Sequence, residues 1–382
     1  MEIKKTGLIL SGGGARAAYQ VGVLKAIHKI LPKGHYNPFD IISGTSAGAI
    51  NGVALASYAE NYRIGIKHLE RIWMHFSCDQ IYRTDLAGMS YSLMRLVRSM
   101  MIGKRFKNDP VSLLDNAPLR ALLNEAIKFD QIQGAIDNGA LHAIAVNCSG
   151  MESGESVSFF QGHYSITNWQ RQRRVGKRTR ISLDHLMASS AIPMVFPAVK
   201  LQNEYFADGA VRQLAPLSPA IHLGAEKIMV IGVSGIAHKS KIVKPNSSYP
   251  SPAKVMGHML NAAFLDSMEA DVERMSRINR TLDKIPDAVR KKEHMELKSI
   301  QLLEINPSRS IDELAGEHAH EVPRALKMAL GGSGNTGQSG SGILSYLLFS
   351  HGFCKSLIDL GYSDAMARAD EIREFFSDHF DE

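Results

Sequence analysis

The stretch Gly44-Thr45-Ser46-Ala47-Gly48 constrains this chain more than any other. It follows the apolar run Phe39-Asp40-Ile41-Ile42 and precedes a helix-like stretch from Ala49 to Tyr62. A strand that turns at once into a helix strains the backbone, and flanking glycines remove the Cβ atoms that would clash there. The serine hydroxyl then stands at a helix N-terminus, where the dipole and free N–H groups favour developing negative charge. A bare Gly-x-Ser-x-Gly arises by chance in roughly a tenth of chains this long. The plainer alternative is therefore a glycine-rich turn with a solvated serine. Two further segments weigh against it.

The first is Leu8-Ile9-Leu10-Ser11-Gly12-Gly13-Gly14-Ala15-Arg16. A short apolar strand runs into three glycines and then into a helical pattern with Tyr19, Val23, Ile27 and Ile30 on one face. Residues without side chains leave backbone N–H groups open to an anion at the start of a helix. Dinucleotide phosphate binding and an oxyanion hole both use that device. Gly12-x-Gly14-x-x-Ala17 satisfies a loose dinucleotide fingerprint. That fingerprint also wants an acidic residue ending the second strand. Here Asp40 begins its strand, which favours the oxyanion hole.

The second is Ala188-Ser189-Ser190-Ala191-Ile192-Pro193, followed by Phe196-Pro197 and by Tyr205-Phe206-Ala207-Asp208-Gly209-Ala210. An aspartate before Gly-Ala puts a carboxylate on a tight turn. Alone, such an aspartate is most often a turn-former bonding its own backbone.

In this order the glycine-rich loop, Gly-x-Ser-x-Gly and Asp-Gly-Ala resemble the patatin-like phospholipases, a family of serine acyl hydrolases. The resemblance spans roughly Thr6 to Pro219 and includes the Ala188–Pro197 block. It implies a catalytic dyad of Ser46 as nucleophile and Asp208 as base. It also implies an oxyanion hole of the Gly12, Gly13 and Gly14 amides, with Arg16 helping to hold the loop; the amide of Ala47, the residue after the nucleophile, is a candidate additional donor. Gly44, Gly48, Gly209 and Ala210 support the two turns. An ordinary aspartate, with a pKa near 3.9, is a feeble base toward a serine hydroxyl. Burial must raise that value, with Phe206 and the Ala191–Phe196 stretch to desolvate it, or the oxyanion donors must carry most of the barrier reduction.

Strand-like runs at Gly7–Ser11, Asp40–Ser43, Leu141–Asn147, Val157–Phe160, Lys227–Val233 and Ser299–Ile305 alternate with helical patterns. Helix candidates include Ile64–His75, Pro118–Ile127 and Pro252–Leu282. Such alternation predicts a three-layer α/β fold, a mostly parallel central sheet with helices on both faces. The expected organisation is a catalytic domain over 6–220, its α/β continuation over 221–330, a Gly/Ser-rich flexible linker over 331–342 and a helical C-terminal extension over 343–382. That extension is expected to act as a structural clasp rather than as a lid.

No run approaches 18 apolar residues, the length a spanning helix needs. The N-terminus is expected to lead straight into a strand, with no removable signal peptide. Cys78, Cys148 and Cys354 are too few and too scattered for a disulfide framework. A cytoplasmic protein visiting the inner membrane face is expected. The net charge of +6 concentrates in Arg171, Arg173, Arg174, Lys177, Arg178 and Arg180. This cluster reads as an anionic lipid contact, a solvated loop or a nucleic-acid patch. Met89–Lys107, methionine-rich and basic, reads as an interfacial helix or a core helix. The expected partners are a membrane phospholipid or other acyl lipid as substrate and an anionic membrane surface, with no nucleic acid. No cofactor or metal is expected, His318-Ala319-His320 being a lone pair without further ligands. Three other readings remain: an α/β-hydrolase with a Ser-Asp-His triad, a non-catalytic lipid- or partner-binding regulator, and a nucleotide-binding oxidoreductase.

Overall fold

The computed structural model describes residues 4–32, 37–83, 94, 112–235, 252–293, 295, 297–329 and 341–379. Its centre is a mixed, mostly parallel sheet. The strands are β1 (Thr6–Leu10), β2 (Ile41–Thr45), β3 (Ala143–Gly150), β4 (Ser156–Gly162), β5 (Trp169–Arg171), β6 (Arg174–Arg178), β7 (Val199–Leu201), β8 (Glu204–Asp208), β9 (Lys227–Ile231) and β10 (Gln301–Ile305). They run in the order β10-β9-β1-β2-β3-β4-β6-β5, with β8 paired to β3 and β7 to β8. Neighbours from β10 through β3 are parallel. The chain leaves β1 toward β2 on one side, while β9 lies on its other side, so the loop after β1 opens at a topological switch point where ligands gather.

Period-two alternation makes this a three-layer fold. Leu8, Leu10, Ile42, Ile144, Val146, Met229 and Ile231 enter one core, whereas Ile9, Ile41, Ala143, Ala145, Ile228 and Val230 enter a second on the opposite face. The larger core holds α1 (Ala18–Ile30), α2 (Ala47–Ala56), α3 (Tyr62–Met74) and the C-terminal helices. The helix His351–Ala367 crosses α1 backbone to backbone. A Cβ on Gly22 would lie 2.0 Å from the Ile358 carbonyl oxygen, and one on Gly361 2.2 Å from that of Tyr19. Phe353, Leu357 and Ile358 are buried in that contact. Residues 331–340 of the expected linker lie outside the described residues. Ser341 and Gly342 open the helix Ser341–Leu347 instead of extending a linker.

The expected single helix over 252–282 is corrected by the structure. It divides into Pro252–Asn261 and Ser267–Leu282 around a π-helical turn, Ala262–Asp266. In an unbroken α-helix Phe264 and Met268 would share a face. The wider turn re-phases them, so that Phe264 enters the larger core and Met268 the smaller.

Candidate active site

Ser46 sits at the junction of β2 and α2 with φ 56° and ψ −130°, a conformation that side-chain-bearing residues rarely adopt. The flanking glycines are steric necessities. A Cβ on Gly44 would lie 2.5 Å from the Gly48 carbonyl oxygen, and one on Gly48 2.3 Å from that of Leu10. The Ser46 amide donates to Ser189 Oγ at 2.9 Å, and the Ser189 hydroxyl donates to the Asn147 carbonyl at 2.6 Å. The Asn147 side chain in turn donates to the Gly44 carbonyl at 3.0 Å. The sequence assigns Ser189, in the Ala188–Pro197 block, no role, because a serine there has no local signature to distinguish it from a helix-end residue.

Asp208 reaches the same place from the opposite direction. Strand β2 pairs with β3 as far as Thr45 opposite Asn147, and antiparallel β8 takes over with Asp208 opposite Cys148. The two strand ends therefore face each other along consecutive residues of β3. Gly209 permits the turn, since a Cβ there would lie 2.3 Å from the Asn147 carbonyl oxygen. The Ala210 amide donates to Asp208 Oδ1 at 3.0 Å, while Oδ2 is buried without a hydrogen-bond partner among the described residues.

Burial raises the Asp208 pKa to about 7, against weaker lowering first by the Ser46 hydroxyl and then by the Ala210 amide. The Ser46 hydroxyl is thus near enough to act on the carboxylate, although no bond of ordinary hydrogen-bond geometry completes Oδ2. Phe206 and Ala191 are buried around the turn, and the Ala191 carbonyl accepts the Asp208 amide at 2.9 Å. A carboxyl group in this setting is half-ionised near neutrality, which suits a general base.

The glycine loop lies alongside. A Cβ on Gly12 would stand 3.1 Å from Ser46 Cβ and 2.5 Å from the Phe264 ring. Gly14 has φ 55°, and a Cβ there would lie 2.2 Å from the Tyr346 carbonyl oxygen. Gly12, Gly13 and Gly14 are buried, yet among the described residues none of their amides donates a hydrogen bond. Buried N–H groups left open in this way are rare. The amide of Ala47, first residue of α2, likewise has no acceptor within its helix.

Arg16 is buried and reaches past the loop to the C-terminal region. It donates to Ser345 Oγ at 2.9 and 2.7 Å and to Asp312 Oδ1 at 2.6 Å, and its guanidinium lies 4.0 Å from the centroid of the Tyr346 ring. Beside Ser46 opens an apolar cavity of ≈ 30 Å³, whose walls include Ile50, Trp73, Phe76, Leu119, Ile192, Phe196, Tyr346, Leu347 and Phe349. The C-terminal segment thus both clasps α1 and walls the site. Its part in the wall carries no sequence signal, because Tyr346 and Phe349 read as ordinary core residues.

The basic cluster forms an edge hairpin, β5–β6, rather than a loop. Arg178 donates to the Gly162 and His163 carbonyls at 2.7 and 2.8 Å, Arg180 pairs with Asp130 at 2.7 Å, and Arg174 donates to Ser218 at 3.0 Å. Part of the expected membrane-facing charge is thereby committed within the fold. Met89–Lys107 lies outside the described residues apart from Met94. Of the downstream histidines, His222 stacks on Trp169, His318 bonds Glu321 and Ser356, and His351 bonds the Met74 carbonyl. Among the described residues no histidine hydrogen-bonds Ser46 or Asp208, and no group of three or more metal-ligating side chains occurs.

A family model described as patatin-like phospholipase matches residues 8–221. Over 209 residues the chain is 26% identical to a cGAMP-activated phospholipase of Pseudomonas aeruginosa, covering 55% of this chain and 53% of that relative. A shorter match, 47% identical over 57 residues, is to a lysophospholipase of Aspergillus terreus, covering 15% of this chain and 3% of that protein. The chain thus spans about half the length of the first relative and a small fraction of the second. Among solved structures, human GIVD cytosolic phospholipase A2 with a bound fluorophosphonate aligns at a TM-score of 0.44 and 14% identity, covering 100% of this chain and 60% of that one.

Proposed function

We propose that this chain, which belongs to the patatin-like phospholipase family, hydrolyses carboxylic esters of membrane lipids through an acyl-enzyme on Ser46. Ser46 Oγ attacks the ester carbonyl carbon and its proton passes to Asp208 Oδ2. Negative charge on the carbonyl oxygen is received by the Gly12–Gly14 amides, with Ala47 as a further donor. The tetrahedral adduct collapses, and the departing alcohol takes the proton from Asp208. Water then gives a proton to the same carboxylate and attacks the acyl carbon, releasing the fatty acid and restoring the Ser46 hydroxyl.

One observation carries this reading: a buried carboxylate raised to about 7, next to a strained serine, with one of its oxygens and three backbone donors unpartnered among the described residues. The walls beside Ser46 are apolar, the lining an acyl chain would meet on entering, and the ≈ 30 Å³ cavity must widen to take one. The other roles follow: Arg16 ties the donor loop to the C-terminal helices, and Gly44, Gly48, Gly209 and Ala210 shape the two turns.

The test is a lipid comparison of phospholipid liposomes incubated with the parent protein and with Ser46→Ala. Free fatty acid released by the parent alone is the expected result; equal release by both would end the proposal. Because a relative is named as cGAMP-activated, the assay is run with and without a cyclic dinucleotide. A silent basal state is then not mistaken for an inactive site.

A further inference from the structure

We infer that Gln20, Asn51 and Trp73 form a buried positioning relay that sets the direction of the Gly12 amide. The inference rests on the oxyanion-hole reading above. Trp73 Nε1–H donates to Asn51 Oδ1 at 2.7 Å. Asn51 Nδ2 donates to Gln20 Oε1 at 2.9 Å and to the Ala17 carbonyl at 3.0 Å. Gln20 Nε2 donates to the Ser11 carbonyl at 2.8 Å and to the Ile231 carbonyl at 3.3 Å. All three side chains are buried.

An indole N–H can only donate, whereas a side-chain amide can present either end. Trp73 therefore obliges Asn51 to turn its oxygen outward and its nitrogen toward Gln20. Asn51 in turn obliges Gln20 to turn its nitrogen toward Ser11. The Ser11 carbonyl and the Gly12 N–H belong to one planar peptide unit and point in opposite directions. Holding the carbonyl from behind thus aims the Gly12 N–H away from Gln20. Gly12 is the glycine that lies against Ser46. Nothing else among the described residues bonds the Ser11 carbonyl outside the regular strand ladder. The Trp73 ring also lines the cavity beside Ser46, so an acyl chain there packs against the group that orients both amides.

The experiment compares Gln20→Met, Trp73→Phe and the double variant with the parent, with Ser46→Ala as the inactive reference. Methionine keeps the volume of Gln20 without its donor; phenylalanine keeps the apolar wall without the indole N–H. Gln20→Met is expected to lower kcat about 10–100-fold at similar KM, less than the loss of a whole oxyanion donor at the upper end of its range. A trifluoromethyl ketone carrying the acyl chain, which binds as a tetrahedral oxyanion, should weaken by a like factor, while the product fatty acid binds as before. Trp73→Phe should lower kcat less, and the double variant should be no worse than Gln20→Met, because both act through one peptide. Parent-like kcat in both single variants, or losses that multiply in the double, would overturn the relay. If Gln20→Met does not fold, Trp73→Phe decides alone: parent-like kcat and ketone affinity overturn the inference. Activity persisting in Ser46→Ala would instead sink the nucleophile assignment, a separate outcome.

Discussion

The turn at Ser46 and the turn at Asp208 meet on consecutive residues of β3, yet they are strained in different ways. Ser46 holds an unfavourable backbone, φ 56°, around a small neutral side chain. Asp208 has an ordinary backbone, φ −49° and ψ 131°, and carries its strain as charge, a buried carboxyl raised to about 7. Steric strain aims a hydroxyl, while electrostatic strain makes a carboxylate basic. On the proposed mechanism, in which no histidine takes part, both are needed, because neither a well-aimed serine nor a solvated aspartate suffices alone.

The most direct way to break this comparison is through activity. Ser46→Ala and Asp208→Asn should each lower ester hydrolysis by roughly 10³-fold or more, and the double variant should be no worse than either, as for residues acting as a unit. A multiplicative loss would show that the two turns work separately.

Next in size is the pH dependence of stability. The folded pKa of Asp208 lies above its ordinary value, so its contribution to stability is full below about pH 4 and is lost as the pH rises through about 7. Asp208→Asn should therefore melt above the parent at pH 8, by up to about 4 kcal/mol, and the gap should close by pH 4. Ser46→Ala keeps the carboxyl and loses only a weak lowering of its pKa, so it should show no gap of that size. The parent's hydrolysis rate should rise through about pH 7 as the base ionises. Melting curves and rate profiles over pH 4–9 check both.

Smaller effects test the glycines. Gly48→Ala brings a Cβ to 2.3 Å from a carbonyl oxygen, as does Gly209→Ala, and each should cost about 3 kcal/mol or more in denaturant unfolding. Smallest, Ser46→Gly should relieve the backbone and stabilise by about 1 kcal/mol. If Ser46→Gly leaves stability unchanged, the serine turn stores no strain.

Much of this was legible in the chain. The Gly12–Gly14 loop, Ser46 and Asp208 could be picked out because each occupies a turn whose geometry demands a particular neighbour within a few residues. The succession of strand-like runs and helical patterns was equally visible, and with it the three-layer fold; the division of Leu8 and Leu10 from Ile9 between two cores was not, because that run is apolar throughout. The π-helical turn was not: the spacing of Met268, Val272 and Met275 continues a helical stripe, and only packing of Phe264 against Gly12 shows where it is re-phased. Nor was the engagement of the basic hairpin, since charge counts do not say which arginines meet carbonyls.

The sequence by itself determined the local geometry: where a Cβ is forbidden, where a strand must become a helix, and which short runs are apolar enough to be buried on both faces. These are short-range matters of excluded volume and side-chain period, written in adjacent residues. Tertiary structure alone decided that β8 takes over from β2 along β3, that Arg16 answers to Ser345 and Asp312, and that Trp73, Asn51 and Gln20 join in one chain of bonds to the Ser11 carbonyl. Those pairings depend on strand register and helix packing across long stretches of chain, and the environment that lifts the Asp208 pKa exists only once the core has closed around it.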